Sequence, residues 1–210
     1  MAKEAPAPDW KGRTVVCLAS GPSLTQADVD LVRGAGHPTV VTNTTFRMAP
    51  WADVLFGFDA RWWSTKDPAT GLTHAQESAR VFAGRRFTKS ELGPTYGVET
   101  LHGSSWFRGF GNSGCCAIAL AVHAGAARVI LLGFDSTFGP KGERHWHGNH
   151  PGGLGNCASI ARWPAHFKRT AHMAKLAGVV VLNCSRRTAL DCFDRVPLEQ
   201  ALALDLETAE

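Results

Sequence analysis

The chain has 210 residues, 44% hydrophobic and 19% charged, which fits one globular domain with a substantial core and excludes disorder as the dominant state. Its formal net charge is only +4, from 22 Lys and Arg against 18 Asp and Glu, where a general nucleic-acid binder would carry a sharper basic stripe. No run reaches the ~18 apolar residues of a membrane span, and Met1 to Pro8 lack the apolar core of a signal peptide, so a cytoplasmic protein is expected.

Residues 1–12 read as a flexible N-terminus, ahead of a single domain over 13–205. Thr14 to Ala19 form a short apolar, β-branched run, the mark of a buried strand, and stop at the turn Ser20-Gly21-Pro22-Ser23. Thr25 is placed to cap a helix that buries Val29, Leu31 and Val32 and ends at Gly34 and Gly36. Thr39–Thr42 and Asp53–Phe58 follow as the second and third strands, each running into a polar residue, Asn43 and Asp59. Over 64–110 the pattern weakens into Gly, Thr, Ser and Arg, which predicts small strands and a mobile, lid-like section.

Order returns at Gly114. Cys115 to Ala127 are apolar or small except His123, a helix buried on most sides. Arg128–Leu132 form the fourth strand, ending in Gly133-Phe134-Asp135, and a His- and Gly-rich segment over 136–158 reads as a second lid. A helix over 159–176, a strand over Val179–Leu182 and a last helix opening near Pro197 complete the chain. The six cysteines contain no Cys-x-x-Cys pair, so they read as reduced, mostly buried core thiols rather than zinc-ribbon ligands.

Apolar strands separated by helices predict an α/β, Rossmann-like fold: a mainly parallel sheet with helices on both faces, as one domain with an irregular lid section. Ligands of such sheets bind beyond the carboxyl ends of the strands. Ser20 to Ser23, Asn43, Asp59, Asp135 and Asn183 all follow strands and should converge there.

Three groups of residues can carry chemistry. In Ser20-Gly21-Pro22-Ser23 the glycine lets backbone approach a ligand while amides and a helix dipole face an anion, although a plain strand–helix turn has the same look. Asn112, Ser113 and Gly114 open the buried helix and can bind an anion or nucleotide, or simply cap the helix. Arg144, His145, His147 and His150 form the densest signal. Three imidazoles within six residues can ligate a metal, can include a general base, or can be surface histidines without a role.

Leu18 through Leu24, Thr42-Asn43, and Asn112-Ser113-Gly114 through Leu132-Gly133-Phe134-Asp135 together resemble the bacterial lipooligosaccharide sialyltransferases, in matching order across residues 14–185. Those enzymes carry Asn-Gly-Pro-Ser, Cys-Asn, Thr-Ser-Gly and Gly-Ile-Asp at these places. They also carry His-Tyr-Ile-Gly-His, whose last histidine is the catalytic base. His145-Trp146-His147-Gly148-Asn149-His150 fits that block with one inserted residue and nominates His150. A similar layout occurs in motility-accessory-factor glycosyltransferases and archaeal hydroxymethylpterin diphosphokinases. Ser20 and Asp59 stand where the sialyltransferases have Asn. Their two phosphate-holding tyrosines have no counterpart, since the lone Tyr96 lies elsewhere. The resemblance puts Arg144, His145 or His147 in their role, as groups that stabilise a developing phosphate charge.

What the resemblance implies is metal-independent glycosyl transfer from a nucleotide sugar, CMP-linked by preference, to a hydroxyl of a glycan or other acceptor. No cofactor is required. Ser20, Gly21, Pro22, Ser23 and Asn43 would hold base and ribose, Asn112 to Gly114 would meet the nucleotide, and His150 would deprotonate the acceptor. One alternative is an ATP-dependent diphosphokinase with Mg²⁺ on Asp59 or Asp135. Another is a nucleotide-binding or structural protein without catalysis. A homo-oligomer is compatible with each, and neither nucleic acid nor a membrane span is expected.

Overall fold

Strands that are apolar on both faces need helices on both faces, and parallel pairing is the arrangement that supplies them. The computed structural model describes residues 5–89, 91–101 and 111–204 and shows this arrangement. Strands β1 (Thr14–Leu18), β2 (Thr39–Thr42), β3 (Val54–Phe56), β4 (Arg85–Thr88), β5 (Glu99–Thr100), β6 (Arg128–Leu132), β7 (Val180–Asn183) and β8 (Asp194–Arg195) form one sheet. Its order is β5-β4-β3-β2-β1-β6-β7-β8, and every pair is parallel. The chain steps outward from β1 to β5, then returns to lay β6 on the other side of β1. That reversal is the topological switch point of a Rossmann-like sheet, where two neighbouring strand ends lead their loops apart and leave a crevice.

Among the described residues six α-helices accompany the strands: α1 (Gln26–Ala35), α2 (Ala60–Ser64), α3 (His74–Val81), α4 (Ser113–His123), α5 (Trp163–Leu176) and α6 (Leu198–Ala203). Alternation along each strand divides the core into two layers. Val15, Cys17, Val40, Val54, Val129 and Leu131 pack beneath α4 and α5, whereas Val16, Leu18, Val41, Leu55, Ile130 and Leu132 pack with Val29 and Val32 of α1. Helix α4 is buried from Cys115 to Ala121, as its composition predicts. In α1, Thr25 and Asp28 form a reciprocal capping box and Gly36 closes the helix at φ 70°. Leu31 departs from expectation and is 45% exposed. Two residues along a helix is about 200°, so Leu31 faces away from Val29 and Val32.

Of the expectation for 64–110, the small strands are present. The described part of it holds α3, β4 and β5, which extend the sheet to its edge. Thr73 and Gln76 make a second capping box that starts α3. Strand β4 hid behind charge, because Arg85 pairs with Glu99 of β5 at 2.7 Å instead of adding to an apolar run. The rest of that expectation, residues 90 and 102–110, lies outside the described residues. Of the N-terminus expected to be flexible, residues 1–4 lie outside the described residues, and residues 5–12 make contacts with the domain. Ala5 N–H donates to the Thr100 carbonyl, Trp10 N–H donates to the Ala124 carbonyl, and the Trp10 indole is buried in the core. All six cysteines are free thiols, five of them buried. Among the described residues no helix is long and apolar enough to cross a membrane.

Candidate functional site

At the carboxyl ends of β1 and β6 lies a cavity of about 510 Å³. Its floor continues the ladder of the sheet: Ala19 N–H donates to the Leu132 carbonyl at 2.8 Å and Gly21 N–H to the Gly133 carbonyl at 2.9 Å. A Cβ on Gly21 would overlap the Gly133 carbonyl oxygen and the Asp135 carboxylate. The close approach expected of this glycine is therefore made first to the protein's own β6 turn. Ser23 fastens the same turn, with its N–H donating to Asp135 Oδ2 at 2.8 Å and its hydroxyl to Oδ1 at 2.7 Å. Burial raises the Asp135 carboxyl, and the two Ser23 bonds only partly offset that. Ser20, Gly21, Pro22 and Asp135 line the cavity, but Ser23 is not in its wall.

Asn43 ends β2 at φ 49°, a left-handed conformation that Asn tolerates better than most residues. Its Oδ1 accepts from the Ser113 hydroxyl at 3.2 Å, and that hydroxyl accepts from Phe58 N–H at 3.2 Å, joining the ends of β2 and β3 to α4. Asn112 caps α4 through Cys115 N–H at 2.9 Å. Its Nδ2 is buried without a hydrogen-bond partner. Helix α5 presents a second N-terminus, since Arg162 and Trp163 join Asn43, Asn112, Ser113 and Gly114 in lining the cavity. Two helix ends and Arg162 make this wall favourable to an anion, and Arg144 lines the cavity from the opposite side. Asp59 lines it too. This carboxylate is accessible at the mouth yet backed by protein, and the lost hydration raises its pKa. Asn183 does not converge with the others. It is buried, with Oδ1 accepting from Ser185 N–H and Nδ2 donating to Thr188 Oγ1.

The facing wall is the segment 136–159, which has neither helix nor strand. Trp146 anchors it, with N–H donating to the Ser20 carbonyl at 3.2 Å and Nε1 to Thr45 Oγ1 at 3.4 Å. Asn156 closes it: Oδ1 accepts from His150 N–H, while Nδ2 donates to the His150 and Leu154 carbonyls at 3.0 and 3.1 Å. Arg144 reaches the Asn156 carbonyl at 2.6 Å. His145 and His150 line the cavity, whereas His147 stacks behind on His145. Burial holds all three imidazoles far below the ordinary histidine value, His145 at about 4 and His147 and His150 at about 3. The Cys157 thiol, 3.5 Å from His145 Nε2, is pushed up to about 11 by burial.

The cavity also uses Trp62, Asn156 and Arg162, none of which was singled out from sequence. For Arg162 a signal existed, since Pro164 in the first turn of a helix marks the residues before it as a helix start. For Asn156 there was none, because its partners are defined only by the closed loop.

No family model and no curated protein matches this chain. Among solved structures it is similar to a deoxyribose phosphate aldolase from Aeropyrum pernix, at 15% identity over 94% of this chain and 91% of that one, with a TM-score of 0.25. So loose a superposition carries no argument.

Proposed function

We propose that this chain is a nucleotide-dependent transferase that moves a glycosyl group from a nucleotide sugar, CMP-linked by preference, to an acceptor hydroxyl. The observation that carries this reading is the switch-point cavity, where two helix N-termini and two arginines face a crevice of nucleotide size. The Ser20–Pro22 turn and Asn43 hold base and ribose, with Ser23 acting behind them through Asp135. Asn112 to Gly114, Arg144 and Arg162 receive the phosphates, so that the departing charge is met by donors already in position. The acceptor enters against the histidine wall, and His150 is the ring that meets its hydroxyl. A nucleotide-binding pocket with this much preformed polarity also supports the likeness to the sialyltransferases.

A second reading, ATP-dependent diphosphoryl transfer, is favoured by Asp59, a carboxylate on the cavity wall with no hydrogen-bond partner among the described residues. Mg²⁺ binds through carboxylates and phosphate oxygens. Asp135 is less suited to it, because Ser23 occupies both of its oxygens.

Thermal unfolding with CMP, UDP, GDP and ATP, each in Mg²⁺ or in EDTA, tests both. A nucleotide at 100 times its Kd stabilises by ~2.7 kcal/mol, which for a chain of this length raises Tm by roughly 5–10 °C. Cytidine nucleotides acting in EDTA are the expected result. ATP acting only with Mg²⁺ would establish the second reading, and no response to any nucleotide would remove both.

A further inference from the structure

The histidine wall contains a cluster that nucleotide binding does not explain. The His145 and His147 rings lie 5.1 Å apart and nearly parallel, and each stands 4.6 Å from the ring of His150. One nitrogen from each falls within 4.8 Å of the other two, and no carboxylate joins the group among the described residues. Two of the rings are also contacted from outside: His150 Nδ1 lies 3.5 Å from Thr44 Oγ1, and His145 Nε2 lies 3.5 Å from the Cys157 thiol. A neutral imidazole that donates through one nitrogen carries a bare lone pair on the other. His147 Nε2 is such an atom, buried with no hydrogen-bond partner. An outer oxygen on one ring, as Thr44 stands to His150, is a usual companion of metal-bound histidine.

We propose that His145, His147 and His150 bind one Zn²⁺ ion, with its open coordination position toward the cavity. Imidazole suits zinc, whereas Mg²⁺ and Ca²⁺ require oxygen ligands. Zn–N bonds of about 2.0–2.1 Å place tetrahedral ligand nitrogens about 3.3 Å apart. Binding therefore draws the rings together from a spread of at most 4.8 Å, a rotamer-scale adjustment within the loop. Three protein ligands leave a fourth position free, the arrangement of catalytic rather than structural zinc. Because His145 and His150 are in the cavity wall, that position opens where the acceptor enters.

Metal binding stands without the transferase reading, while its catalytic consequence rests on it. Zinc lowers the pKa of bound water to ~7, giving a hydroxide at neutral pH. This hydroxide takes the acceptor's proton and becomes water. The acceptor oxygen then forms its bond to the anomeric carbon, and the bond from that carbon to the nucleotide phosphate breaks, its electron pair leaving with the phosphate. His150 thereby acts as a ligand of the base rather than as the base itself.

The test is metal stoichiometry. Purified protein is assayed for zinc by mass spectrometry, then stripped with chelator and titrated with Zn²⁺ by calorimetry and with Co²⁺ by visible absorption. One equivalent is expected, with the visible bands of low-coordinate cobalt. His147→Ala and His150→Ala should each weaken Zn²⁺ by more than about 100-fold, since loss of an outer partner alone already costs 10–100-fold. His147→Gln, checked for native circular dichroism, serves if the alanine variant does not fold. Less than one tenth of an equivalent in wild type, or wild-type affinity in a folded His147 variant, overturns the site. The nucleotide thermal shifts measured on the same samples separate the two failures. Zinc without nucleotide response ends the transferase reading alone, and nucleotide response without zinc ends the metal site alone.

Discussion

The two walls of the cavity are built on different principles. The strand-end wall is held by main chain: β1 and β6 carry their ladder into the turns, and Gly21 packs so closely on Gly133 and Asp135 that no side chain fits between them. The histidine wall has no ladder and depends on a few side chains, Trp146 on Ser20 and Thr45, and Asn156 on His150 and Leu154. Backbone that is shared with a sheet opens only when the sheet does. A loop fastened by side chains opens locally, at a fraction of the global free energy. The contrast suits the proposed transferase, in which a fixed wall would hold the nucleotide and a wall that opens locally would admit the acceptor.

The largest test of this contrast is Gly21→Val. Overlap with a main-chain carbonyl cannot be relieved by a rotamer change, so a loss of roughly 3 kcal/mol or more is expected, or a fall in Tm of at least about 6 °C by calorimetry. A Tm within two degrees of wild type, a difference of about 1 kcal/mol or less, would mean the β1 turn yields as easily as the loop. Next is Asn156→Ala, which removes the clasp of the histidine wall. Amide exchange at His150 should accelerate by about 10–100-fold, since three side-chain hydrogen bonds are removed at roughly 0.5–1 kcal/mol net each, while amides of β1 and β6 keep their protection. Equal acceleration in the strands would show that the two walls open as one unit.

The smallest effect is expected away from both walls. Burial alone would raise the Asp28 carboxyl, but bonds from Arg186 and Thr25 outweigh it and hold its pKa below the usual carboxylate value. A carboxyl depressed in the fold adds stability that is present above its unfolded pKa of ~3.9 and is lost as pH falls through the folded value. Arg186 is largely solvent-exposed, so screening keeps the pair within ~1 kcal/mol. Arg186→Ala should accordingly lower Tm slightly at pH 6 and converge with wild type at pH 2–3, with nucleotide shifts unchanged at neutral pH. A loss that stays constant down to pH 2 would mean that Arg186 acts by packing rather than by charge.

Much of this was legible in the order of residues. Apolar runs, Gly turns and caps located β1, β2, β6 and α1 nearly to the residue, because period and capping are local properties of the chain. The same logic placed Ser20, Asn43, Asp59, Asn112 and Asp135 at strand or helix ends, and they do meet at the cavity. The arginine-rich strand β4 and the two-residue β8 were not legible, since their evidence is a neighbour's hydrogen bonds rather than their own side chains. Nor was the fate of Asn183, which follows a strand yet turns into Ser185 and Thr188.

Sequence by itself determined the alternation of strand and helix, and with it the parallel sheet and the edge where the cavity lies, because those follow from where apolar side chains must go. Tertiary structure alone decided that Ser23 serves Asp135 rather than the cavity, and that Asn156 clasps the loop. It also brought three histidines, spread over six residues of an irregular segment, to within 4.8 Å of one another at one nitrogen each. The reason is physical: a periodic element carries its geometry in its own residues, whereas an irregular loop takes its shape from whatever it closes against.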